Sequence, residues 1–438
     1  MAMVETITRT ESPARTLGNA YRYYVVGIIW LVMLLRFVDW QIVGVLLESL
    51  RREFKVSDTQ LGFLSGTAFA LFYTVLGLPI AWLADRYSRR NIIAACLAMW
   101  SGMTALFGMA GSFTGLLLAR VGVSIGEAGG QPPSHSLISD YFPARQRSTV
   151  FAFLACAAPA GVFAGYLIGG AINAWLGWRA TVMVIGLFGL AVAALLFLTV
   201  REPVRGGIDG RTGVSAASVK ETARYLWSKR SYRHFVSGAS IATLGAVGSG
   251  VWIISFFVRV HGMTPLQAST WIACVYGIGG VIGALTGGAM ADRLAKSRSD
   301  ARWHGWIPAI AMIAIVPFCI FVYLWPNPIT ALLVHTGNTF LLHAWMGPCY
   351  GTVQTIAGPS RRAMASAVNV FAVNLIALGL GPLLVGAMSD YFNATFGETA
   401  LRYSILTLVL VTFPWAALHF LLAARTLRQD LASERSSG

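Results

Sequence analysis

Four charged residues lie deep inside long apolar segments, where a charge is costly unless it meets a partner or a water-filled cavity. Arg36 and Asp39 are three positions apart in one segment, and Arg120 and Glu127 are seven apart in another. Both spacings place the two members on one face of an α-helix. The two carboxylates can therefore meet the two guanidinium groups across one cavity, and these four residues are called the charge quartet.

The charge quartet has two possible roles. It could simply lock two helices together, but well-packed apolar residues often do this equally well. We favour proton uptake and release by Asp39 and Glu127, because burial favours the neutral acid and a nearby Arg favours the carboxylate. A helix rise of about 1.5 Å per residue places Glu127 near mid-membrane and Arg120 roughly 10 Å further toward the outside.

The segments that carry the quartet belong to a chain dominated by apolar runs. Of its 438 residues 56% are hydrophobic and only 12% are charged, with a mean hydropathy of +0.65. A soluble domain has roughly 25% charged residues, and about 20 apolar residues cross a bilayer. The sequence therefore predicts an all-α integral membrane protein with twelve transmembrane helices. These predicted spans 1 to 12 are 23–47, 60–84, 92–111, 113–138, 149–174, 180–199, 234–257, 267–291, 304–324, 328–356, 364–388 and 403–424.

A loop signature occurs twice, after spans 2 and 8. The copies read Ala81-Trp-Leu-Ala-Asp85-Arg86-Tyr-Ser-Arg89-Arg90 and Gly288-Ala-Met-Ala-Asp292-Arg293-Leu-Ala-Lys296. Such repetition predicts two similar, pseudo-symmetric six-helix bundles fused in tandem. The expected organisation is an N-terminal tail (1–22), a first half (23–200), a linker (201–232), a second half (233–424) and a C-terminal tail (425–438).

The net charge of +15 follows membrane topology rather than a nucleic-acid surface. About 25 of the 33 Lys and Arg residues fall on one side if both termini are cytoplasmic. This is the positive-inside bias, and no basic face interleaved with aromatic residues stands apart from the membrane ends. We therefore expect cytoplasmic termini, in a bacterial inner membrane, and no nucleic-acid partner.

The aspartates of the two loops have a possible gating role. At helix ends, Asp85 and Asp292 can accept hydrogen bonds from neighbouring helix N-termini and from arginines. Topological marking by positive charge is the simpler explanation for Arg89, Arg90 and Lys296, but it leaves the aspartates unexplained. The candidate gate residues are Asp85, Arg86, Arg90, Arg145, Arg147, Asp292, Arg293, Arg361 and Arg362.

The second half offers polar but uncharged candidates, whose alternative role is interhelical hydrogen bonding. The cavity between the halves would have charged residues on its first-half wall and apolar or aromatic residues on its second-half wall. Such a cavity suits an amphiphile, whose anionic headgroup an Arg pair could hold. The candidate substrate-binding residues are Arg36, Trp40, Arg120, Tyr276, His335, His343 and Asn369. No phosphate-binding loop of the Gly-x-x-x-x-Gly-Lys-Ser/Thr type is present, which disfavours ATP as the energy source.

The linker and two of the spans carry weaker signals. Residues 218–227 could form a short helix on the inner membrane surface, with Val219, Ala223, Leu226 and Trp227 on one face; a solvated linker is the alternative. Spans 5 and 11 are rich in glycine, which allows either static packing or surfaces that move against each other.

The duplicated loop, the Gly177-Trp-Arg179 opening of span 6 and the twelve spans resemble the major facilitator superfamily. Within it, the chain is similar to the spinster group. The residues that carry this likeness are Phe37-Val-Asp39, Trp100-Ser101, Arg120-Val-Gly-Val-Ser-Ile-Gly-Glu127-Ala128, Asp140-Tyr-Phe-Pro143 and Arg201-Glu-Pro203.

The resemblance implies proton coupling by Asp39 and Glu127, and loops that hold the inner side shut in the outward-open state. Eukaryotic spinsters are associated with sphingosine 1-phosphate and lysophospholipids. The family commonly has Arg directly after the Asp of span 1, where this chain has Trp40. Arg36 lies one turn earlier on the same face and could replace that charge; the alternative is that coupling is altered.

The predicted function is a proton-coupled secondary transporter of an amphiphilic or organic anion, lipid-like in character. The alternatives are an uncoupled facilitator, a transporter-like sensor, or an exporter of drugs or small metabolites. An enzyme is disfavoured, since no nucleophile and base or metal cluster share one depth. We expect a monomer in contact with membrane lipids, driven by the proton gradient, with no cofactor and no metal.

Overall fold

The computed structural model describes residues 18–205, 219–357 and 362–435, and these form helices joined by turns, with no strand among them. The helices are α1 Asn19–Phe54, α2 Asp58–Gly62, α3 Ala68–Arg86, α4 Arg89–Phe107, α5 Phe113–Ala128, α6 Gln131–Ser139, α7 Ala144–Ala155, α8 Ala157–Thr199, α9 Val219–Ser228, α10 Arg230–His261, α11 Pro265–Val275, α12 Val281–Ser297, α13 Trp303–Leu324, α14 Pro328–Ala344, α15 Met346–Ala357, α16 Arg362–Phe396 and α17 Ala400–Arg435.

The helices are consistent with the twelve predicted spans. Among the described residues, eight helical segments are long and apolar enough to cross a membrane; Thr149–Thr199 contains predicted spans 5 and 6, and Phe371–Ala432 contains span 12 and most of span 11. The first turns at Gly177, whose φ of 80° suits glycine, and the second turns at Gly397. Spans 4 and 10 are each broken into two shorter helices, α5 with α6 and α14 with α15.

The two halves repeat one packing pattern. In the first half α1 and α4 pack on α8, and in the second α10 packs on α16 while α13 packs on α17. Span 1 thus pairs with span 5 as span 7 pairs with span 11, and spans 3 and 6 pair as spans 9 and 12 do. The side predicted to be cytoplasmic is called inner below, and the opposite side outer.

The second membrane helix of each half begins with the same motif. Ser57 and Gln60 form a capping box at α2, and Thr264 and Gln267 form one at α11, each satisfying free backbone N–H groups. A π-helical turn then interrupts each helix, at Phe63–Thr67 in span 2 and at Tyr276–Gly280 in span 8. Such wide turns are uncommon and are frequent at functional sites.

A charge lock closes the inner end of the first half. Arg89, only 2% exposed, donates from Nε to Glu202 at 2.8 Å and also pairs with Asp140. It thereby ties the start of span 3 to the ends of spans 4 and 6. The interpretation of Arg89 as a topological marker alone is wrong, because its guanidinium is buried among carboxylates.

The second half carries the corresponding lock with the charges exchanged. Asp300, just before α13, accepts hydrogen bonds from Arg302 Nε at 2.9 Å and from Arg428 Nε at 3.0 Å. It joins the start of span 9 to the end of span 12, as Arg89 and Glu202 join spans 3 and 6.

The described part of the linker is attached to both halves. Arg205 donates to the backbone carbonyls of Ala84 and Tyr87 in the first half, whereas α9 packs on α10 and α16 of the second half. This segment is helical, as one of its two alternative interpretations requires. Leu226 is buried, whereas Trp227 is 58% exposed.

The outer side is closed by an ion-pair network between the halves. Arg259, near the end of α10, donates from Nε to Glu48 at 2.7 Å and from its two Nη atoms to Asp58 at 2.6 and 2.9 Å. Asp390 of α16 accepts from the backbone N–H groups of Asp58 and Thr59, at 3.0 and 2.8 Å. A second-half carboxylate therefore binds the N-terminus of a first-half helix, where the helix dipole favours negative charge.

Close backbone packing supports this closure. A Cβ atom on Gly66 would lie 2.7 Å from the carbonyl oxygen of Leu378, and one on Gly386 would collide with Asp58. Thr67 donates to the carbonyl of Gly379 at 2.5 Å. Glycine in spans 2 and 11 thus allows the two halves to meet directly.

We expect Arg259→Gln to open the outer side. Removing one partner of a buried ion pair costs about 3–5 kcal/mol, and here that cost falls only on the closed state. Spin labels at Met109 and Tyr391, both exposed at the outer ends, should report longer distances in the variant. The matched control is Arg52→Gln on the same outer surface; equal distance distributions in both variants would contradict the network's role.

The Asp300 lock makes a pH-dependent contribution to stability. Hydrogen bonding from Arg302 lowers the pKa of Asp300 from 3.8 to about 2. The contribution is therefore complete above about pH 4 and is lost as the pH falls toward 2. Asp300→Asn should lower the melting temperature by about 1–3 °C near neutral pH, with a difference that shrinks below pH 4. A constant difference down to pH 3 would show that the carboxylate charge is not what matters.

Candidate functional site

The charge quartet forms two crossed ion pairs between α1 and α5. Arg36 Nε lies 3.6 Å from Glu127 Oε2, and Arg120 Nη1 lies 3.4 Å from Asp39 Oδ2. Because the two helices run in opposite directions, the acid of each faces the base of the other. Asp39 and Arg120 are each 3% exposed, and Glu127 is fully buried.

The two carboxyl groups of the quartet have different surroundings. Asp39 accepts a hydrogen bond from Thr104 at 2.8 Å and one from Arg120. Neither oxygen of Glu127 accepts a hydrogen bond from a described donor, and the neighbouring carboxyl group is that of Asp39. A buried carboxylate without hydrogen bonds is costly, so the two acids are suited to different protonation states.

The guanidinium group of Arg36 is engaged by neutral acceptors. Its Nη1 donates to Gln131 Oε1 at 2.6 Å, and its Nη2 donates to the Tyr73 hydroxyl at 2.9 Å. Its Nε faces Glu127 beyond hydrogen-bond distance.

An aromatic row from span 2 supports both arginines. The guanidinium carbon of Arg120 lies 4.5 Å from the Phe69 ring centre, and that of Arg36 lies 5.5 Å from the Tyr73 ring. Phe69 and Tyr73 stack at 5.5 Å, and Trp40 extends the row at 6.1 Å from Phe69. Trp40 therefore lies among aromatic rings, and Arg36 lies one turn earlier on α1.

Three of the second-half candidates form one cluster. Tyr276 begins the π-helical turn of span 8, with the rings of His335 and His343 at 6.1 and 6.2 Å. Tyr166 of the first half lies 5.8 Å from Tyr276, which brings the cluster against the opposite half. His343 Nδ1 lies 2.8 Å from the Thr339 carbonyl, whereas neither ring nitrogen of His335 has a partner.

Asn369 is the fourth second-half candidate. It is 2% exposed on α16, and its Oδ1 has no hydrogen-bond partner. The described contacts do not join it to the Tyr276 cluster.

The predicted gate residues that are described make contacts within their own halves. Arg86 lies 3.8 Å from the Trp82 ring centre, and Arg90 donates to Asn91. Arg147 donates to the carbonyls of Ser139 and Phe142, and Asp292 pairs with His304 at 2.9 Å. Arg293 is exposed. The side chains of Asp85, Arg145 and Arg362, and all of Arg361, lie outside the described residues.

Sequence reasoning missed the ionisable residues of the outer closure. It placed only four charged residues clear of the helix ends, but α1 and α10 continue to Phe54 and His261. This places Glu48 and Arg259 inside helices, where they are buried and paired. The missed signal is the extension of helical periodicity beyond the apolar windows.

Sequence reasoning also missed the partners of the quartet, namely Thr104, Phe69, Tyr73 and Gln131. Polar but uncharged residues in an apolar helix give no strong signal on their own. The four-residue spacing of Phe69 and Tyr73, which places them on one helix face, is the clue that was available.

Comparisons with known proteins agree with this architecture. The Major Facilitator Superfamily model matches residues 29–375. The chain is 30% identical over 420 residues to an MFS-type efflux pump of Mycolicibacterium smegmatis, covering 95% of this chain and 96% of the pump. It is 29% identical over 398 residues to the sphingosine-1-phosphate transporter SPNS2 of Danio rerio, covering 85% and 77%.

A solved structure matches nearly the whole chain. It is a bacterial homologue of the human lysosomal transporter Spinster in an inward-facing, unoccupied conformation, with a TM-score of 0.85 and 29% identity over 94% of this chain and 99% of that one. Its inward-facing state agrees with the closed outer side seen here. The chain therefore belongs to the Major Facilitator Superfamily, as a membrane transporter of the spinster type and not an enzyme.

Proposed function

We propose that this protein is a proton-coupled secondary active transporter that moves an amphiphilic or organic anion by alternating access. The observation that carries the proposal is the buried, crossed charge quartet, in which Glu127 has no hydrogen-bond partner. Ionisable groups at membrane depth commonly mark proton relays and substrate pathways.

The quartet offers a way to exchange a proton for a substrate. Glu127 is suited to holding a proton, since its ionised form would lack hydrogen bonds in a buried site. An anion bound to Arg36 or Arg120 would compete with the carboxylates for positive charge. Substrate binding and proton occupancy would then depend on each other, as coupled transport requires.

The surrounding residues support an amphiphilic substrate. Arg36 and Arg120 offer guanidinium groups to an anionic headgroup, and Trp40 lies beside them. Tyr276, His335 and His343 form an aromatic wall in the second half. A lipid-like anion of the lysophospholipid or sphingolipid type fits this division, and one relative is named for sphingosine 1-phosphate.

Alternating access would use the two sides in turn. The Arg259 network closes the outer side, and we assign inner closure in the outward-open state to the loops that contain Asp85 and Asp292. The remaining parts of the proposal are a monomer in the bacterial inner membrane, cytoplasmic termini, the proton gradient as driving force and no bound cofactor.

A second candidate function is the export of drugs or small metabolites. It is favoured by the relative that covers nearly all of this chain and is named an efflux pump. Transport assays with purified protein in vesicles distinguish the two candidate functions, by measuring the flux of a lipid-like anion and of a panel of drugs. Flux that ignores a pH gradient would instead indicate an uncoupled facilitator.

The substrate class can be tested before any transport assay. Purified protein is heated with lysophospholipids, sphingosine 1-phosphate or small organic anions. A ligand at 100 times its Kd adds about 2.7 kcal/mol to apparent stability. Stabilisation by single-chain anionic lipids, but not by zwitterionic lipids of equal chain length, would support an anionic headgroup site.

Asp39→Asn and Glu127→Gln should each abolish gradient-driven transport while the protein remains folded, because each removes a proton-binding carboxyl group. Flux under an imposed pH gradient is the measurement, with thermal melting as the check on folding. Glu53→Gln, on the outer surface and away from the quartet, is the control. Full gradient-driven flux in both quartet variants would remove the coupling role.

Arg120→Ala should weaken anion binding more than Arg120→Lys does. The planar guanidinium can form two hydrogen bonds to a headgroup, whereas Lys retains only the charge. The loss of positive charge should also move the pH dependence of binding to higher pH, because the charge favours the ionised acids. Binding titrations across pH test both effects, with Arg52→Ala as the control. Normal binding and an unchanged pH profile would leave Arg120 a structural charge.

A further inference from the structure

Arg36 and Glu127 are neighbours, but Arg36 donates its hydrogen bonds to other residues. Arg36 is the nearest cation to Glu127 in the described ion pairs, yet its Nη1 and Nη2 donate to neutral oxygens on Gln131 and Tyr73. Its Nε stands 3.6 Å from Glu127 Oε2, too far for a hydrogen bond. Glu127 is left buried with no hydrogen bond to either oxygen.

The other pair of the quartet provides an internal comparison. Asp39 receives hydrogen bonds from Thr104 and from Arg120. Arg120 rests on the Phe69 ring rather than on neutral hydrogen-bond acceptors. What distinguishes the Glu127 pair is therefore the two neutral acceptors that engage its arginine.

We propose that Tyr73 and Gln131 are positioning residues that hold Arg36 out of hydrogen-bonding reach of Glu127, and so preserve the ability of Glu127 to carry a proton. This proposal rests on the proposed function only for its consequence in transport. Without the two acceptors, the guanidinium group would turn to the nearest carboxylate. A charge-assisted hydrogen bond would then favour the ionised form of Glu127.

The two acceptors come from different elements. Tyr73 lies on α3, and its ring also lies against the Arg36 guanidinium group. Gln131 begins α6, directly after the break in span 4 that follows Glu127. The break thus places a neutral acceptor four positions after the acid, where it binds the arginine instead of the acid.

Other ionisable groups face this site and must be constant in any test. They are Arg36 and Asp39 on α1, Arg120 on α5, Cys96 on α4 beside Gly129, and His135 on α6 near Arg36. Neither Tyr73→Phe nor Gln131→Leu removes a carboxyl, imidazole, thiol or guanidinium group from this site. A change in the proton affinity of Glu127 in these variants is therefore transmitted by Arg36.

The test follows the protonation of Glu127 directly. Difference infrared spectroscopy on the full chain in lipid vesicles follows the carboxylic acid C=O band that Glu127→Gln removes. In Tyr73→Phe/Gln131→Leu, the pH at which half of this band is lost should fall by about one unit, a tenfold weaker proton affinity. Each single variant should show a smaller shift in the same direction, and thermal melting checks that each variant is folded.

Tyr87→Phe is the matched control, since that residue is exposed at the end of the same helix and should leave the midpoint unchanged. A midpoint that is unchanged or higher in the double variant would overturn the positioning role. If the double variant does not fold, the positioning role is judged from the conservative Tyr73→Phe variant alone, by the midpoint of the same carboxylic acid band.

The two proposals fail in different ways. If Glu127→Gln removes the band but retains gradient-driven flux, the coupling function fails, and the positioning role can still be judged from the midpoint. If Glu127→Gln abolishes flux but the midpoint does not move in the Tyr73 and Gln131 variants, only the positioning role fails.

Discussion

Taking an ion from water into a membrane interior costs several kcal/mol, and a partner recovers this only when its geometry is good. Two acids and two arginines meet between α1 and α5, and their contacts offset this cost unequally for the two acids. Asp39 is compensated by Arg120 and Thr104, whereas Glu127 is not compensated by any hydrogen bond. The crossed arrangement thus concentrates the uncompensated cost on one carboxyl group. Helix direction, the break in span 4 and the aromatic row of span 2 all act to maintain that inequality.

The parts of the molecule that were predictable from sequence are those with a strong local signal. Apolar runs and the repeated loop indicated the fold, and the spacing of Arg36, Asp39, Arg120 and Glu127 indicated their meeting. Which acid pairs with which base followed only from the antiparallel packing of the helices.

The rest depended on tertiary contacts that leave no periodic pattern. Tyr73 and Gln131 are ordinary residues until Arg36 is placed beside them. Arg89 looked like one more cytoplasmic cation, and only the position of Glu202, more than a hundred residues later, makes it a buried lock. The outer network was hidden because Glu48 and Arg259 lie just beyond the windows that hydropathy defines.

The two wide turns of spans 2 and 8 lie at different positions in corresponding helices. The capping boxes begin at Ser57 and Thr264, and the loop aspartates are Asp85 and Asp292, so both ends of the two helices are 207 positions apart. Between the capping box and the loop aspartate the two helices therefore have the same number of residues, and each contains the one surplus residue that a π turn accommodates. Yet Phe63–Thr67 corresponds to residues 270–274, whereas the second turn begins at Tyr276. The wide turn therefore lies six positions later in the second helix than in the first. One residue corresponds to about 100° of helix rotation. The six-position offset therefore rotates the side chains between the two locations by about 100° relative to their counterparts in the other half, while the side chains at both ends keep corresponding orientations.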